Sequence, residues 1–313
     1  MAQDRPLLGI LLMLGFCVLA PLGDAVAKIL GQLVPLCQLL LVRFGIQALL
    51  LIPVVAATNR PWRMRRRTFN LMIIRTVLHI IGIGAMFTAL RFLPLADAVA
   101  IAFVMPFLML LLGKFVLDEE VGLRRILACV VGFVGTLMVI QPSFAEVGLP
   151  ALLPLVVAVV FSLFMLVTRQ IAKETDPISL QAVSGTMASL MILPFLLIGP
   201  HINMPETAIV WTDTSTTAML LFIGALGTLA HLLMTWSLRY APSATLAPMQ
   251  YLEIPFATLI GWIIFSDLPN GLAAIGICVT MAAGLYIVFR ERAMSRIASA
   301  TPQPPVPDSH AAG

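Results

Sequence analysis

Ionisable side chains interrupt several long apolar runs of this chain, and they are the residues best able to do chemistry. Asp24 and Lys28 lie four positions apart in the first run, Arg43 lies in the second, and Glu253 lies in a run near the C-terminus. A charge inside a membrane-spanning helix costs roughly 2.5–3.5 kcal/mol on insertion scales, so such residues usually face a cavity or a partner. This set of charges favours recognition of a polar solute. A carboxylate such as Glu253 would suit a carrier that also moves protons; the alternative is a structural hydrogen bond.

The sequence leaves two interpretations open for the first pair of charges. Asp24 and Lys28 share one face of a helix. They either pair with each other near the outer membrane surface, with the Lys28 amine extending to water, or line a cavity. Arg43 lies too deep in its run to reach the surface easily. We expect its guanidinium to line a cavity or to be bound by Asp24, by Glu253 or by an anionic group on a solute.

Other polar residues in the apolar runs have simpler explanations. We expect Asp97 to cap a helix and the side chain of Arg75 to extend to the cytoplasmic surface. We expect His79 and His231 to be buried and hydrogen-bonded, with contact to a ligand as the alternative. The Trp236 ring either stacks on a planar solute or packs against neighbouring side chains.

The composition places these residues in a membrane. Of the 313 residues, 60% are apolar and 11% are charged, whereas soluble domains are about half apolar and about a quarter charged. Most of the chain must therefore face lipid or other buried helices. The excess arginines lie in short loops, so binding to nucleic acid is not predicted. The four cysteines lie inside apolar runs without metal or redox spacing, so no metal or cofactor is predicted.

The elements that position the charged residues are apolar runs, each of a length that suits a membrane-spanning helix. Basic residues concentrate in the loops on one side, above all in the five arginines between positions 60 and 67. The positive-inside rule then places both termini in the cytoplasm, with residues 1–6 at the start and a disordered tail at 291–313. The ten predicted spans are 7–27, 34–55, 69–90, 95–117, 122–140, 149–168, 178–198, 216–238, 243–265 and 271–289.

The chain also repeats itself. The segment Leu-Arg-Phe-Leu-Pro at 90–94 returns as Leu-Arg-Tyr-Ala-Pro at 238–242, and further matches follow at a nearly constant offset. The first five spans, in residues 7–141, therefore match the last five, in residues 149–290. Because five is odd, the second unit enters the membrane in the opposite direction. The predicted fold is an all-α polytopic membrane protein with ten transmembrane helices in a 5+5 inverted repeat around a central cavity.

Together these motifs resemble the drug/metabolite transporter superfamily, in its ten-span EamA-type branch. The resemblance rests on the Arg-Phe pair at 43–44 and on the Arg-aromatic-x-Pro-x-Ala turns at 91–96 and 239–244. It rests further on the proline-centred fourth and ninth spans and on the Gly-x-x-Gly at 132–135. The resemblance implies alternating access for small organic solutes. It also implies that the fourth and ninth spans face the cavity.

Five residues follow as candidates from that implication. Phe103, Gln250 and Tyr251 would line the cavity with Asp24, Lys28, Arg43, Trp236 and Glu253. Pro106 and Pro255 would break the fourth and ninth helices and free backbone carbonyls there.

The mixed charge, together with several aromatic residues and methionines, indicates a medium-sized polar organic solute with a planar ring. By resemblance, the best single expectation is uptake of a vitamin-like or nucleotide-like solute such as riboflavin through a bacterial inner membrane. The alternatives are export of amino acids, amines or toxic metabolites, uptake of S-adenosylmethionine, and a non-transporting membrane scaffold. An enzyme is not expected, because the sequence has neither a phosphate-binding loop nor a nucleophile turn. Coupling to protons and formation of a homodimer are left open.

Overall fold

The computed structural model describes residues 6–105, 107, 108, 112, 123–172, 174–240, 246 and 250–300. These residues form α-helices and three short 3₁₀ helices, with no β-strand among them. The α-helices are α1 (Pro6–Leu30), α2 (Leu36–Ala57), α3 (Arg66–Ala89), α4 (Leu95–Ala102), α5 (Leu123–Val147), α6 (Leu153–Ala172), α7 (Pro177–Ile198), α8 (Thr214–Tyr240), α9 (Glu253–Phe265) and α10 (Gly271–Ala300).

Local sequence explains where several of these helices begin. Proline precedes the first residue of α2 and of α4, at Pro35 and Pro94, and holds the chain extended there. The start of α7 is capped more strongly. The Asp176 carboxylate accepts hydrogen bonds from the backbone N–H groups of Ile178 and Ser179, each at 3.1 Å, and thereby satisfies donors that the first helical turn leaves free.

The helices are those of a polytopic membrane protein. In the described ranges, seven helical segments are long and apolar enough to cross a membrane: 7–30, 36–57, 66–89, 130–147, 149–171, 177–202 and 214–240. Two shorter apolar segments are 253–265 and 271–283. The predicted fourth and ninth spans include residues outside the described part of the chain, so the total of ten spans stays a prediction.

Helices of the first half pack mainly against helices of the second half. α1 packs against α8, α2 against α7, α3 against α6, α4 against α9 and α5 against α10. A buried apolar cluster fills the space between these pairs and includes Phe44, Leu90, Ile101, Ile223 and Ile254. Segments distant in sequence therefore form one shared core.

α5 and α10 approach each other closely at two glycines, Gly135 and Gly276. A Cβ atom added at Gly135 would lie 2.8 Å from the Gly276 carbonyl oxygen and 2.9 Å from the Thr280 backbone nitrogen. The Thr280 hydroxyl donates to the Gly276 carbonyl at 2.9 Å. The two helices can pack this closely only because both contact positions lack a side chain.

Ion pairs connect the ends of the helices, and each joins the first half of the chain to the second. Lys28 pairs with Asp267 at 3.1 Å and Arg91 pairs with Glu206 at 2.7 Å, both at the end where α1 and α3 finish. At the opposite end, Arg60 in the loop after α2 pairs with Asp176 at 2.6 Å.

Arg75 and Asp97 lie in environments different from those expected. Arg75 is 0% exposed. Its Nε donates to the Thr168 hydroxyl at 2.9 Å and its Nη1 donates to the Ser184 hydroxyl at 3.1 Å. The predicted extension to the surface is wrong, because hydroxyls from α6 and α7 hold the guanidinium inside. The expected capping role of Asp97 is also wrong, since α4 has no side-chain cap and Asp97 accepts from the Ser143 hydroxyl of α5 at 3.2 Å.

The glycine contact predicts a steric effect on stability. Gly135→Ala should lower the free energy of unfolding by roughly 1–3 kcal/mol, as expected for overpacking against backbone atoms. Thermal unfolding of the purified protein in detergent measures the change. Gly271→Ala is the matched control, because a Cβ atom there meets nothing within 4 Å. Equal stability of both variants and the unaltered protein would contradict this packing.

The Arg91–Glu206 pair predicts a pH effect. The hydrogen bond from Arg91 lowers the pKa of the Glu206 carboxyl, and the Leu36 backbone N–H acts in the same direction. Because the folded-state pKa is the lower one, this contact stabilises the fold above the unfolded-state pKa of about 4.3 and is lost as pH falls through the folded-state value. Glu206→Gln should cost about 0.2–1 kcal/mol at neutral pH, since the pair is exposed to solvent.

The measurement is the difference in thermal stability between wild type and Glu206→Gln at neutral pH and well below pH 4. The difference should vanish in acid. Glu146→Gln, at an exposed position of α5, controls for loss of a negative charge elsewhere. A difference that persists unchanged at low pH would count against the contact.

Candidate functional site

A cavity lies between α1, α2, α3, α4, α6, α8 and the beginning of α9. It holds about 930 Å³ of empty space, with its opening included. Most of its wall is apolar and comes from both halves of the chain. The polar side chains of the lining are Asp24, Arg43, His231, Gln250 and Glu253, and its aromatic rings are Phe16, Phe87, Phe103 and Phe161.

Two carboxylates face this cavity from different helices. Asp24 lies on α1 and Glu253 is the first residue of α9, and both side chains are half-buried. The two carboxylates are close enough to repel each other, and Asp24 is attracted by Arg43. Asp24 and Glu253 have no hydrogen-bond partner among the described residues. Both are therefore free to interact with a group that enters the cavity.

Arg43 is fixed in the cavity wall by neighbours on two helices. Its side chain is 2% exposed. Nη1 donates to the Gln47 side-chain oxygen at 3.0 Å, and Nη2 donates to the Gly227 carbonyl at 3.2 Å. A Cβ atom at Gly227 would lie 2.5 Å from Nε, so glycine leaves the room that the guanidinium fills. This anchoring fixes the position of a positive charge beside the cavity.

Buried amides extend the polar contacts of Arg43 away from the cavity. The Gln47 amide nitrogen donates to the backbone carbonyl of Gln181 at 2.7 Å and to its side-chain oxygen at 3.0 Å. The Gln181 amide nitrogen in turn donates to the Thr235 hydroxyl at 2.9 Å. These bonds tie α2, α7 and α8 together and hold the arginine from behind.

Two histidines continue this network. His231 Nδ1 lies 3.0 Å from Arg43 Nη2, and His231 Nε2 lies 2.9 Å from His79 Nε2. One of the two facing nitrogens must carry the proton, so the two rings have complementary tautomers. Both side chains are buried, which confirms the expected hydrogen-bonded environment. His231 in addition lines the cavity; contact with a ligand, the alternative for these residues, stays a prediction.

The structure brings five of the sequence candidates to the cavity: Asp24, Arg43, Phe103, Gln250 and Glu253. Lys28 lies outside this lining. Its Nζ donates to Asp267 at 3.1 Å and to the Leu93 carbonyl at 3.0 Å. Lys28 thus pairs with the opposite half of the chain instead of with Asp24.

Two aromatic candidates also lie outside the cavity lining. Trp236 is half-buried against an apolar cluster formed by Leu51, Val55, Ile178, Ala182 and Leu232. Tyr251 is buried, with its ring centre 5.5 Å from that of Phe103. Tyr251 therefore packs behind a cavity-lining ring.

The two prolines have different outcomes. Pro106 lies outside the described residues. Pro255 lies in the first turn of α9, which begins at Glu253. A proline at that position removes an N–H group that has no partner within the helix. Gln250 is helical, and Tyr251 and Leu252 form a turn before α9. Because residues 247–249 lie outside the described part of the chain, the break expected at Pro255 stays a prediction.

The sequence interpretation did not include Gln47, Gln181 or Gly227. A signal was present for Gln47, because it follows Arg43 by four positions and so shares its helix face. Nothing near Gln181 in sequence connects it to Arg43, since the residues to which it is bonded come from other helices. Gly227 is an ordinary glycine of an apolar run until the position of the Arg43 side chain is known.

The comparisons with known proteins agree with a transporter. The sequence model of the EamA-like transporter family matches residues 7–141 and 148–290. A riboflavin transporter of Brucella anthropi is 27% identical over 235 residues, covering 75% of this chain and 82% of that protein. An S-adenosylmethionine uptake transporter of Rickettsia bellii is 25% identical over 277 residues, covering 88% of this chain and 91% of that protein. A riboflavin transporter of Vibrio cholerae is 24% identical over 265 residues, covering 84% and 86%.

A solved crystal structure shares the fold. It aligns with a TM-score of 0.64 at 19% sequence identity and covers 93% of this chain and 99% of the other. The family matches and the relatives' names confirm the prediction of a membrane transporter of small metabolites, and not an enzyme. Since the two matched segments include most of the sequence, this chain belongs to the EamA-like transporter family.

Proposed function

We propose that this protein is a secondary-active transporter that takes up a vitamin-like or nucleotide-like metabolite across a bacterial inner membrane by alternating access. Riboflavin is the first candidate solute. The observation that carries the proposal is the cavity between the two halves, where one guanidinium, two carboxylates, an amide and four aromatic rings meet. Such a wall offers polar groups that orient a solute and apolar rings that bury it.

The helix pairs support a 5+5 repeat. If the two units are equivalent, α1 corresponds to α6, α2 to α7, and so on to α5 and α10. This correspondence converts the α1–α8 pair into the α6–α3 pair, and both pairs occur. The same correspondence leaves the pairs α2–α7, α4–α9 and α5–α10 unchanged. This is the pattern expected of two similar five-helix units, 7–141 and 149–290, related by a two-fold axis. An odd number of spans per unit makes the repeat inverted, as in many carriers that alternate access around a site between their repeats.

The distribution of charge supports an orientation. Five arginines lie between positions 60 and 67, in the loop after α2 and the first turn of α3. The end at which α1 and α3 finish holds Lys28 and Arg91, both in ion pairs. Both termini are therefore proposed to be cytoplasmic. In this orientation the loop before α8, which contains Glu206, faces the outside.

Two solutes follow from the relatives. Proteins named as riboflavin transporters and as S-adenosylmethionine uptake transporters cover three quarters or more of this chain. Both solutes carry a planar heteroaromatic ring, which the Phe16, Phe87, Phe103 and Phe161 side chains could contact. S-adenosylmethionine is the second candidate, because it also carries positive charge that Asp24 and Glu253 could neutralise. Glu253 is further proposed to couple transport to protons.

Uptake of labelled solutes tests the proposal directly. In a bacterial host that lacks its own uptake routes, expression of the protein should cause accumulation of riboflavin or S-adenosylmethionine, with a nucleoside and several amino acids as comparison solutes. A protonophore should collapse the accumulation if protons drive it. The triple variant Asp24→Asn, Arg43→Gln, Glu253→Gln, checked for normal expression in the membrane, should lose at least ~100-fold in transport, because it removes the three charged side chains of the described cavity lining.

Other outcomes would contradict specific parts of the proposal. Faster loss of preloaded amino acids or amines, without uptake of any solute, would make the protein an exporter. Full transport by the triple variant would remove the cavity charges from the mechanism. No movement of any solute in either direction would leave a membrane scaffold as the better explanation.

A further inference from the structure

We infer that the transported solute carries a cationic centre, and that this centre binds between the carboxylates of Asp24 and Glu253. The inference rests on the proposed function, since it concerns the solute of the same cavity, and of the two candidate solutes it favours S-adenosylmethionine over the uncharged riboflavin. It goes further by stating the charge that the solute must carry and the side chains that recognise it.

The fixed charges around the cavity are not balanced. The lining has two carboxylates, Asp24 and Glu253, and one guanidinium, Arg43. Arg43 attracts Asp24. The charged group that acts on Glu253 is Asp24, which has the same sign. If all three groups are ionised, the described lining carries one more negative than positive charge, and no second cation lines the cavity among the described residues.

The cations of the described residues nearest to the cavity already have partners. Lys28 is one helical turn from Asp24 but pairs with Asp267, and the Phe265 ring lies 4.9 Å from its Nζ. Arg75 is held by the hydroxyls of Thr168 and Ser184 and does not line the cavity. Arg43 itself is fixed by Gln47 and Gly227. None of these side chains can reach Glu253 without giving up its present contacts.

Leaving the excess negative charge unpaired would cost free energy. An ionised carboxylate in an apolar, membrane-buried cavity is unfavourable unless an opposite charge compensates it. A solute with a cationic centre would supply that charge when it binds. A neutral solute would leave Glu253 unpaired or require it to hold a proton, so charged and neutral solutes should differ in affinity.

Gln250 gives independent evidence that a ligand belongs at this place. It is only 6% exposed, lines the cavity beside Glu253, and has no hydrogen-bond partner among the described residues. Buried amides are normally hydrogen-bonded, because an unpaired one loses its contacts with water without replacement. A polar group of the solute would satisfy the Gln250 side chain while the cationic centre lies near Glu253.

Aromatic rings complete the recognition of such a solute. Phe16, Phe87 and Phe161 come from three different helices, Phe103 directly follows α4, and all four line the same cavity. Ring faces attract cations and also stack on planar groups. The solute class that fits all of these groups is a ring-bearing metabolite with a sulfonium or a quaternary nitrogen.

Pairs of compounds that differ by one methyl group and one charge test this inference. The sulfonium S-adenosylmethionine is compared with its thioether S-adenosylhomocysteine, which keeps the same ammonium and carboxylate groups, and the pyridinium 1-methylnicotinamide is compared with nicotinamide. Each compound competes for uptake of the labelled solute that the full-length protein transports in proteoliposomes. We expect the concentration that halves uptake to be at least ~30-fold lower for the member with the additional positive charge, as for a charge pair in an interface.

Variants locate the effect. Glu253→Gln should abolish the preference for the cationic member, and Asp24→Asn should weaken it. Glu146→Gln removes an exposed carboxylate of α5 outside the cavity and should keep the full preference. Thermal unfolding and gel filtration verify that each variant is folded. Glu253→Asp should restore part of the preference, which a loss of folding would not explain.

The outcomes separate the inference from the proposed function. Equal competition by both members of each pair, or a preference that persists in Glu253→Gln, would overturn the cationic recognition. Uptake of riboflavin without any preference for cations would do the same and leave the transporter proposal intact. If no solute moves in either direction, the proposed function fails and the inference fails with it.

Discussion

The hydrogen-bonded guanidinium of Arg43 is the interaction on which the rest of the structure depends. A membrane interior offers no water to a buried charge, so every donor of the guanidinium needs a protein partner or a solute. Gln47 on the same helix and Gly227 and His231 on α8 provide such partners. Through these bonds one side chain joins the first half of the chain to the second and fixes a positive charge at the wall of the cavity.

The geometry around Arg43 also limits the neighbouring helices. Gly227 has to stay small, and the Gln47 and Gln181 amides must keep α2 and α7 in register. Asp24 and Glu253 line the same cavity as the guanidinium. The polar contacts behind the cavity differ in role from the two carboxylates within it, which have no hydrogen-bond partner among the described residues. The first group positions the wall, while the second remains available to a solute.

Sequence alone predicted the membrane class and much of the candidate site. Asp24, Arg43 and Glu253 could be identified because a charge in an apolar run has few physical options, and a cavity is one of them. Phe103 and Gln250 followed from the resemblance, through the two spans that it places beside the cavity. These residues line the cavity in the structure.

The remaining residues depend on contacts that a single sequence does not contain. Lys28 binds Asp267, which is 239 positions away in sequence. Arg75 stays inside because Thr168 and Ser184 on other helices accept its hydrogen bonds. Local rules of helix capping and of side chains extending to the membrane surface cannot anticipate such partners. The helix register across the two halves decides them, and that register comes from packing of the whole fold.

A transporter that alternates access should open this cavity first to one side of the membrane and then to the other. Thiol labelling from both sides of the membrane tests this opening directly. The background is a variant from which the four native cysteines are removed. Ala20→Cys places a thiol in the cavity lining. Leu49→Cys, on an exposed face of α2, is the control. An impermeant reagent should modify the Ala20→Cys thiol in intact cells and in inverted vesicles, and transported solute should slow both reactions. Modification from one side only, unaffected by any transported solute, would contradict the account.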